Sequence, residues 1–372
     1  SKKYNTNIKI NRKTDEICAI NVNAETEKNI TNYYFKIPYQ NIKDGLELLD
    51  ELVFNALLNN NEFNKEKNVV MEEINKVKDN SEEYCDHLIE YYLFNKTPLS
   101  HLVGGSKKDI KEMKRINMLK FYNKYYIYSN STISISGNLP NNILQLLEKS
   151  FKNGRASEKR IIEHIYEPLN IKLKKPKIVV VNRKREQICL AFSFPIFNVY
   201  NESKYKLYVL EKILYGSMTS RLWMALREIN PIVYGLSVYD YLYEECGVFR
   251  IRLTFDSSKI ENTFEILSNE LKRIKNELIK KKELDLIKNI MIKKLNMGSE
   301  DNMKIARHYG DALSLNEKVV SYKDLIKKYT SVNSSDIKKL CNEILDFNNC
   351  LVIQIGDVKK EIINKLFKKY FL

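Results

Sequence analysis

The stretch EKNVVMEE at residues 66–73 lies in a segment with helical periodicity and holds two glutamates seven positions apart. On an α-helix this offset leaves Glu66 and Glu73 roughly 20° apart on one face, two turns along. A carboxylate at such a position can bind zinc while its neighbour steadies the ligands. Most glutamate pairs with this spacing belong to a solvated helix surface, so a functional interpretation depends on the flanking sequence.

The residues before this helix predict two strands and a further helix. Residues 19–37 alternate like a strand pair, in which Asn23-Ala24-Glu25-Thr26 and Thr31-Asn32-Tyr33-Tyr34-Phe35 carry the β-formers. Residues 41–59 repeat apolar side chains at three and four positions, which predicts a helix. The helix with the two glutamates is expected to run to about Asn80.

The residues after it complete a mixed unit. We predict a helix over 81–94, a loop over 98–106 that contains two adjacent glycines, and a helix pair over 109–126. Residues 131–136 predict a strand that ends at Gly137-Asn138.

The second half repeats this order and also closes on a strand followed by glycine and an acidic or amide residue, Gly356-Asp357. Strands are predicted over 177–181, 187–194, 232–239, 247–255 and 350–355, and helices over 205–215, 220–228, 259–293, 304–313 and 335–345.

The repeat predicts an α+β fold of two homologous domains, each with a mainly antiparallel sheet packed with helices. The expected boundaries are residues 1–155 for the first domain, a charged linker over 156–176 that closes on a proline, and 177–372 for the second domain.

Composition sets broad limits on function. The 372 residues carry 62 basic and 47 acidic side chains, which gives a formal net charge of +15. The lysines are scattered between acids along helices, so we attribute the charge to compositional bias and predict no nucleic-acid partner. No apolar run reaches the length of a membrane span, so no membrane partner is predicted either. Six dispersed cysteines without a CxxC pair favour reduced thiols and an intracellular location.

The motifs in this order resemble the insulinase/pitrilysin-type zinc peptidases, the inverzincins. In the first half the resemblance rests on Asn23-Ala24-x-Thr26, Thr31-x-Tyr33, the Glu66–Glu73 spacing, Pro98-Leu99 with Gly104-Gly105, and Phe121-Tyr122, Tyr125, Asn130 and Gly137. In the second half it rests on Ser220-Arg221-Leu222, Leu226-Arg227-Glu228 and Tyr234. It covers nearly the whole chain and implies half of a peptidase clamshell.

The resemblance implies an inverted zinc motif, HxxEH, followed some seventy residues later by a glutamate ligand. By match to the family pattern, Glu73 is that ligand and Glu66 is the supporting carboxylate beside it. The implied cofactor is zinc. It would be held by two imidazoles and one carboxylate, with an open position for water.

The chain departs from the family pattern because it contains no HxxEH motif. None of its four histidines, His87, His101, His164 and His308, has another histidine four positions away. Counting back from Glu73 places the two expected histidines upstream of Ser1, with the first strands and the zinc helix of the first domain. Two interpretations stay open: a peptidase chain truncated after its motif and inactive alone, or a non-catalytic family member that acts as a scaffold or peptide-binding subunit.

The resemblance also assigns substrate-contacting residues. Asn23 and Ala24 would lie on an edge strand that binds the substrate as an added strand. Arg227 and Tyr234 would reach the scissile carbonyl and stabilise its negative charge. Without the resemblance, a surface arginine and a half-buried tyrosine would be the simpler interpretation. Asn230 and Pro231 replace the usual glycine-bearing turn, a departure from the family pattern just before Tyr234.

These observations together predict a zinc-dependent endopeptidase that cleaves peptides or unfolded segments. Because the chain has room for only two such domains, a second chain of the same family, identical or related, is expected to close the chamber. A basic nucleic-acid-binding protein is the remaining alternative, and steep salt dependence of DNA or RNA retention would favour it.

Overall fold

The computed structural model describes residues 1–95, 97–151, 168–184, 186–315 and 317–372, and these contain both strands and helices. The strands are β1 (Ile20–Thr26), β2 (Thr31–Lys36), β3 (Lys177–Asn182), β4 (Gln187–Ile196), β5 (Val233–Leu242), β6 (Gly247–Asp256) and β7 (Leu351–Gly356). The helices are α1 (Asn7–Glu16), α2 (Ile42–Phe54), α3 (Asn60–Asp79), α4 (Ser81–Leu93), α5 (Lys107–Glu112), α6 (Arg115–Tyr125), α7 (Ile143–Ser150), α8 (Lys204–Leu214), α9 (Arg221–Trp223), α10 (Ile260–Asn276), α11 (Lys281–Gly298), α12 (Asn302–Ser314), α13 (Tyr322–Ser331), α14 (Ser334–Ile344) and α15 (Lys360–Phe371).

The chain divides into two compact units, each assembled from separated stretches of sequence. The described residues of the first unit lie within 1–75, 103–151 and 297–319, and those of the second within 76–102, 168–296 and 320–372. Helix α4 from the first half therefore belongs to the second unit, and α12 from the second half belongs to the first. The boundaries predicted at residues 155 and 177 divide the sequence into homologous halves, which is a different division from these compact units. They stay a prediction. Residues 156–167 of the predicted linker lie outside the described residues.

The second unit is built on a five-stranded sheet in the order β3-β7-β4-β6-β5. Strands β3 and β7 are parallel, and the other neighbours are antiparallel, so the sheet is mainly antiparallel as predicted. Strand β4 lies between β6 and β7 and pairs with β6 over its full length, from Gln187↔Asp256 to Ile196↔Gly247.

Both faces of this sheet are covered, which buries every residue of β7. Large side chains such as Phe192 and Phe249 pack on one face against α8, α10, α14 and α15. Small side chains, Cys189 and Ala191 among them, face α4 on the other. Each fully buried phenylalanine contributes about 1.5–3 kcal/mol relative to an exposed one.

The first unit has a smaller sheet, the antiparallel pair β1-β2, in which Ala24 lies opposite Tyr33. The pairing is irregular between Ile20 and Asn23, where Asn21 takes a left-handed conformation with φ of 56°. Asparagine tolerates this conformation better than most side chains. The predicted strand pair is confirmed.

The two halves have the same order of elements when α1 in the first half is matched to α9 in the second. Two strands, a set of helices, an extended segment and a last helix follow in each half. The two extended segments end at Gly137 and Gly356, whose φ angles of +140° and +145° belong to a region that only glycine adopts without strain. The α+β class and the repeat are therefore confirmed in the order of elements.

Some sequence predictions are wrong in detail. Residues 131–136 are extended but form no strand, because within the described ranges they have no hydrogen-bonded neighbour in a sheet. The helix predicted over 259–293 is two helices, since Glu277 turns extended and Ile279 is buried between them. The helix predicted to reach residue 59 ends at Phe54. In the described part of the chain, no helix is long and apolar enough to cross a membrane.

Candidate active site

Helix α3 presents Glu66 and Glu73 to solvent on one face. The adjacent face of the helix, less than about 100° away, is anchored by the buried side chains of Phe63 and Ile74. The backbone at Gly104 lies close to this face of α3, since a methyl group added to Gly104 would lie 3.6 Å from Ile74 Cγ1. The sequence thus fixes the rotation of α3 through its apolar side, and this rotation directs both carboxylates outward.

Glu66 also lines a cleft of about 370 Å³ in the first unit. Its walls include the first residues of the chain, α1, the end of α2 and the start of α3, with apolar side chains such as Phe63, Val70 and Met118. Lys67, on the same wall, donates to the carbonyl oxygens of Lys111 (2.8 Å) and Met113 (3.1 Å). The cleft therefore combines apolar side chains with three carboxylates, those of Glu51, Glu62 and Glu66.

The described residues do not by themselves fit a bound zinc ion. Across the described ranges, no three His, Cys, Asp or Glu side chains lie close enough together to hold a metal. His87 lies on α4 between Tyr84 and Tyr91, His101 is exposed after a short 3₁₀ turn, and His308 lies on α12. His164 lies outside the described residues. Glu73 is therefore one carboxylate of a donor set that these residues leave incomplete.

Strand β1 exposes Asn23 and Ala24 at the edge of the first unit's sheet. The Ala24 amide donates to Asn23 Oδ1 (2.9 Å), and the Asn23 amide lies 3.4 Å from the Tyr34 hydroxyl. In the described part of the chain β1 pairs with β2 alone, so its other edge has backbone groups available for an added strand.

In the second unit the structure brings Arg227 and Tyr234 together. Arg227 lies in a π-helical turn, Met224–Glu228, that extends α9, and its guanidinium donates to the carbonyl oxygens of Val233 and Tyr234. Tyr234 is the extra residue of a bulge between Val233 and Gly235, and its side chain is 61% exposed. Single π turns and β-bulges are both frequent beside functional sites, because each redirects a side chain.

Sequence reasoning missed a charged cluster between α4 and β6 in the second unit. Arg252 donates to Asp86 Oδ2 (2.6 Å) and Glu82 Oε2 (2.8 Å). The fully buried Arg250 lies 3.4 Å from Glu90 Oε1 and stacks on Tyr241. The sequence signal was present: acids four positions apart along a helix, and arginines two apart along a strand.

A buried carboxyl pair was missed as well. Glu211 on α8 is 5% exposed, and Asp240 lies beside it on β5. Burial, followed by the nearby Asp240, raises the pKa of Glu211 to about 9, and burial also raises the pKa of Asp240. The nearest cation is Lys212, whose Nζ lies 3.8 Å from Glu211 Oε2. No local sequence pattern predicts this pair, because its two residues lie far apart along the chain.

The fold defines an α+β protein of two units, and comparison with known proteins identifies its family. Residues 1–106 match the sequence model described as "Insulinase (Peptidase family M16)". Residues 113–291 match the one described as "Peptidase M16 inactive domain". The chain belongs to the M16 peptidase family.

Individual relatives agree with this assignment. The chain is 26% identical over 344 residues to an uncharacterized zinc protease of Bacillus subtilis, covering 91% of this chain and 81% of that one. A protease from Helicobacter pylori has a similar fold, with a TM-score of 0.81 at 20% identity over 94% of this chain and 84% of that chain. A chain of Complex III from Candida albicans also shares the fold, with a TM-score of 0.75 at 12% identity over 97% and 89%.

Proposed function

We propose that this chain is part of a zinc-dependent endopeptidase that cleaves peptides or unfolded segments. The observation that carries the proposal is the pair of solvent-facing carboxylates, Glu66 and Glu73, on one face of α3. Both lie in the region that matches the insulinase family model. The curated relatives, which are named zinc proteases, support the same reaction class.

In this proposal Glu73 is one zinc ligand, and two histidines from sequence outside these residues complete the set. Glu66 lies two turns away on the same face and acts through the ligands, by orienting them and balancing the charge of the site. Its place in a cleft that also carries apolar side chains supports this role, since low-dielectric surroundings strengthen electrostatic interactions nearby.

The substrate would bind as an added strand along the exposed edge of β1, at Asn23 and Ala24. Backbone hydrogen bonds provide affinity in this mode, and alternate side chains provide selectivity. Extended or unfolded peptides fit such an edge, whereas helical segments do not.

Arg227 and Tyr234 would stabilise the negative charge that develops on the scissile carbonyl. Bonds from Arg227 to two backbone carbonyl oxygens hold its guanidinium in place, and the bulge leaves the Tyr234 side chain exposed. A fixed donor of this kind typically contributes a factor of about 10²–10³ to kcat.

A second chain of the same family, identical or related, would complete the substrate chamber. The likeness to a chain of Complex III, a multi-subunit assembly, is compatible with a fold that serves in subunit interfaces. We expect the protein to be intracellular, on the basis of its dispersed cysteines.

The test measures zinc content and cleavage of a quenched fluorescent peptide, using the protein with its native N-terminus. Glu73→Gln is expected to abolish both stoichiometric zinc and cleavage. Glu72→Gln is the matched control, because Glu72 is equally exposed but is rotated about 100° around the helix. It should retain zinc and activity.

Chelator-sensitive cleavage with this split between Glu73 and Glu72 would support the proposal. Neither zinc nor cleavage in the protein with its native N-terminus would overturn it and would favour the alternative, a non-catalytic scaffold or peptide-binding subunit. Loss of zinc in both variants would show that the helix, rather than Glu73 itself, is responsible.

A further inference from the structure

The helical turn that follows α8 in the second unit is anchored on its buried side. The hydroxyl of the buried Ser220 accepts hydrogen bonds from the amides of Gly216 and Ser217, both at 2.9 Å. The Arg221 guanidinium donates two bonds to Glu283, at 2.7 and 2.9 Å. These bonds fix the base of the turn, so the side chains on its other side start from a defined backbone.

On that other side, an indole lies against Arg227. The guanidinium carbon of Arg227 is 5.9 Å from the centre of the Trp223 ring, within the range in which a cation is attracted to an aromatic face. The two residues are four positions apart, a spacing at which side chains meet along a helix. This contact adds to the bonds that Arg227 donates to the carbonyl oxygens of Val233 and Tyr234.

The π-helical turn also supplies a partner that holds the indole. Trp223 Nε1 donates to Glu228 Oε1 at 2.8 Å. Residues five positions apart lie about 140° apart on an α-helix and so point to different sides of it. In Met224–Glu228 the backbone instead links positions five apart, since the Ile229 amide donates to the Met224 carbonyl oxygen (2.8 Å). The wider turn brings Glu228 to the side that Trp223 occupies.

A second aromatic ring completes the support of the indole. The rings of Tyr215 and Trp223 have centres 6.0 Å apart and planes inclined by 33°. Tyr215 directly follows α8, and its amide donates to the Glu211 carbonyl oxygen at 2.6 Å. The indole is thus restrained by a ring, a carboxylate and a guanidinium. A side chain whose own position is fixed in this way can hold a neighbour in one geometry.

We propose that Trp223 is a positioning residue for Arg227, and that the bond to Glu228 sets the orientation of its indole. This role rests on the proposed function, in which Arg227 stabilises the charge on the scissile carbonyl. Arg227 is exposed, and a long exposed side chain samples many rotamers unless its surroundings restrict them. By restricting them, Trp223 keeps the guanidinium in place before the substrate arrives, which preorganised charge stabilisation requires.

Cleavage of a quenched fluorescent peptide by the protein with its native N-terminus tests this role. Trp223→Leu should lower kcat about fivefold at unchanged KM, because the interaction that Arg227 makes develops in the transition state. Trp223→Phe keeps a ring for the guanidinium and should recover most of kcat. The control Tyr200→Leu removes a half-exposed ring elsewhere in the second unit and should change neither constant.

A second pair of variants leaves the indole in place and changes only its exposed partner. Glu228→Ala removes the acceptor of the indole N–H and should lower kcat in the same direction as Trp223→Leu, without emptying any buried space. Glu228→Gln keeps an oxygen acceptor and should retain kcat. Equal kcat in Glu228→Ala, Trp223→Leu and the unchanged protein would overturn the proposal.

A double-mutant cycle separates positioning from a purely structural role. In an Arg227→Ala background, Trp223→Leu should lower kcat no further, since the indole then has no guanidinium to hold. A further loss of the same size would overturn the proposal, because Trp223 would then act without Arg227.

Fluorescence distinguishes failure of this role from failure of the proposed function, because Trp223 is the single tryptophan. Arg227→Ala should raise acrylamide quenching of Trp223 by uncovering part of the indole, whether or not the protein cleaves peptides. Unchanged quenching together with measurable cleavage would overturn the positioning role alone. Raised quenching in a protein that cleaves no peptide would overturn the proposed function and, with it, the catalytic consequence of the contact.

Discussion

The sheets of the two units come from halves with the same order of elements but reach different states. All six residues of β7 are buried, whereas residues 131–136 at the equivalent place are exposed or half-buried and form no strand. Strand β6 is buried for most of its length, and β2 is half-buried throughout. The difference teaches that an extended segment becomes a strand only when at least one neighbouring segment hydrogen-bonds to its backbone groups.

The largest contrast is expected in the two cores. Phe192→Ala in β4 removes a fully buried ring that packs on Phe264 and Phe371, and should lower the stability of the second unit by about 3–5 kcal/mol. Phe35→Ala in the half-buried β2 should cost about 1 kcal/mol. Urea unfolding followed by the fluorescence of Trp223, the single tryptophan, reports on the second unit, and hydrogen exchange of β2 amides on the first. Equal losses would contradict the contrast.

The charged clusters should differ in a similar way. Arg250→Ala leaves Glu90 without its buried cation and should destabilise the second unit by about 3–5 kcal/mol. Arg307→Ala breaks the half-exposed ion pair with Glu25 in the first unit and should cost less than about 1 kcal/mol. Urea unfolding followed by Trp223 fluorescence measures the effect in the second unit, and hydrogen exchange of the β2 amides measures it in the first. A small effect of Arg250→Ala would show that water enters the cluster.

The two glycines that end the extended segments test how closely each position is packed. Both Gly137→Ala and Gly356→Ala force alanine into a strained conformation, at a cost of about 1–3 kcal/mol. Gly356→Ala should cost more, because its methyl group also meets the β4 backbone at Ile188 Cα. Thermal unfolding of the two variants gives the comparison. Equal costs would contradict the prediction and show that the contact with the β4 backbone adds nothing to the backbone strain.

The last contrast depends on pH and is confined to the second unit. Burial and Asp240 raise the pKa of Glu211 from 4.5 to about 9, so the folded state keeps a proton that the unfolded chain loses. This contribution is fully present below about pH 4.5 and is lost as the pH rises toward 9. The free energy of unfolding should fall by at most about 1.4 kcal/mol per pH unit for one proton.

Urea unfolding at several pH values, followed by Trp223 fluorescence, measures this slope. Glu211→Gln should flatten it, and the exposed Glu265→Gln on α10 should leave it unchanged. A slope that survives Glu211→Gln would assign the titration to Asp240 or to another group.

The sequence by itself determined the α+β class, most helices and strands, the repeat, and the family, because these depend on local periodicity and on motifs in fixed order. It also placed Glu66 and Glu73 on one helix face, since seven residues make two turns. The role of those residues stays a prediction.

Only the tertiary structure decided which segments found partners. It placed α4 and α12 in the unit that the other half of the chain mainly builds, and it left residues 131–136 without a paired strand in the described part of the chain. It also brought Arg250 next to Glu90 and Glu211 next to Asp240. These outcomes depend on contacts between residues far apart in sequence, and local patterns cannot encode them. A strand needs neighbours, and a buried charge needs a partner, that only the folded chain provides.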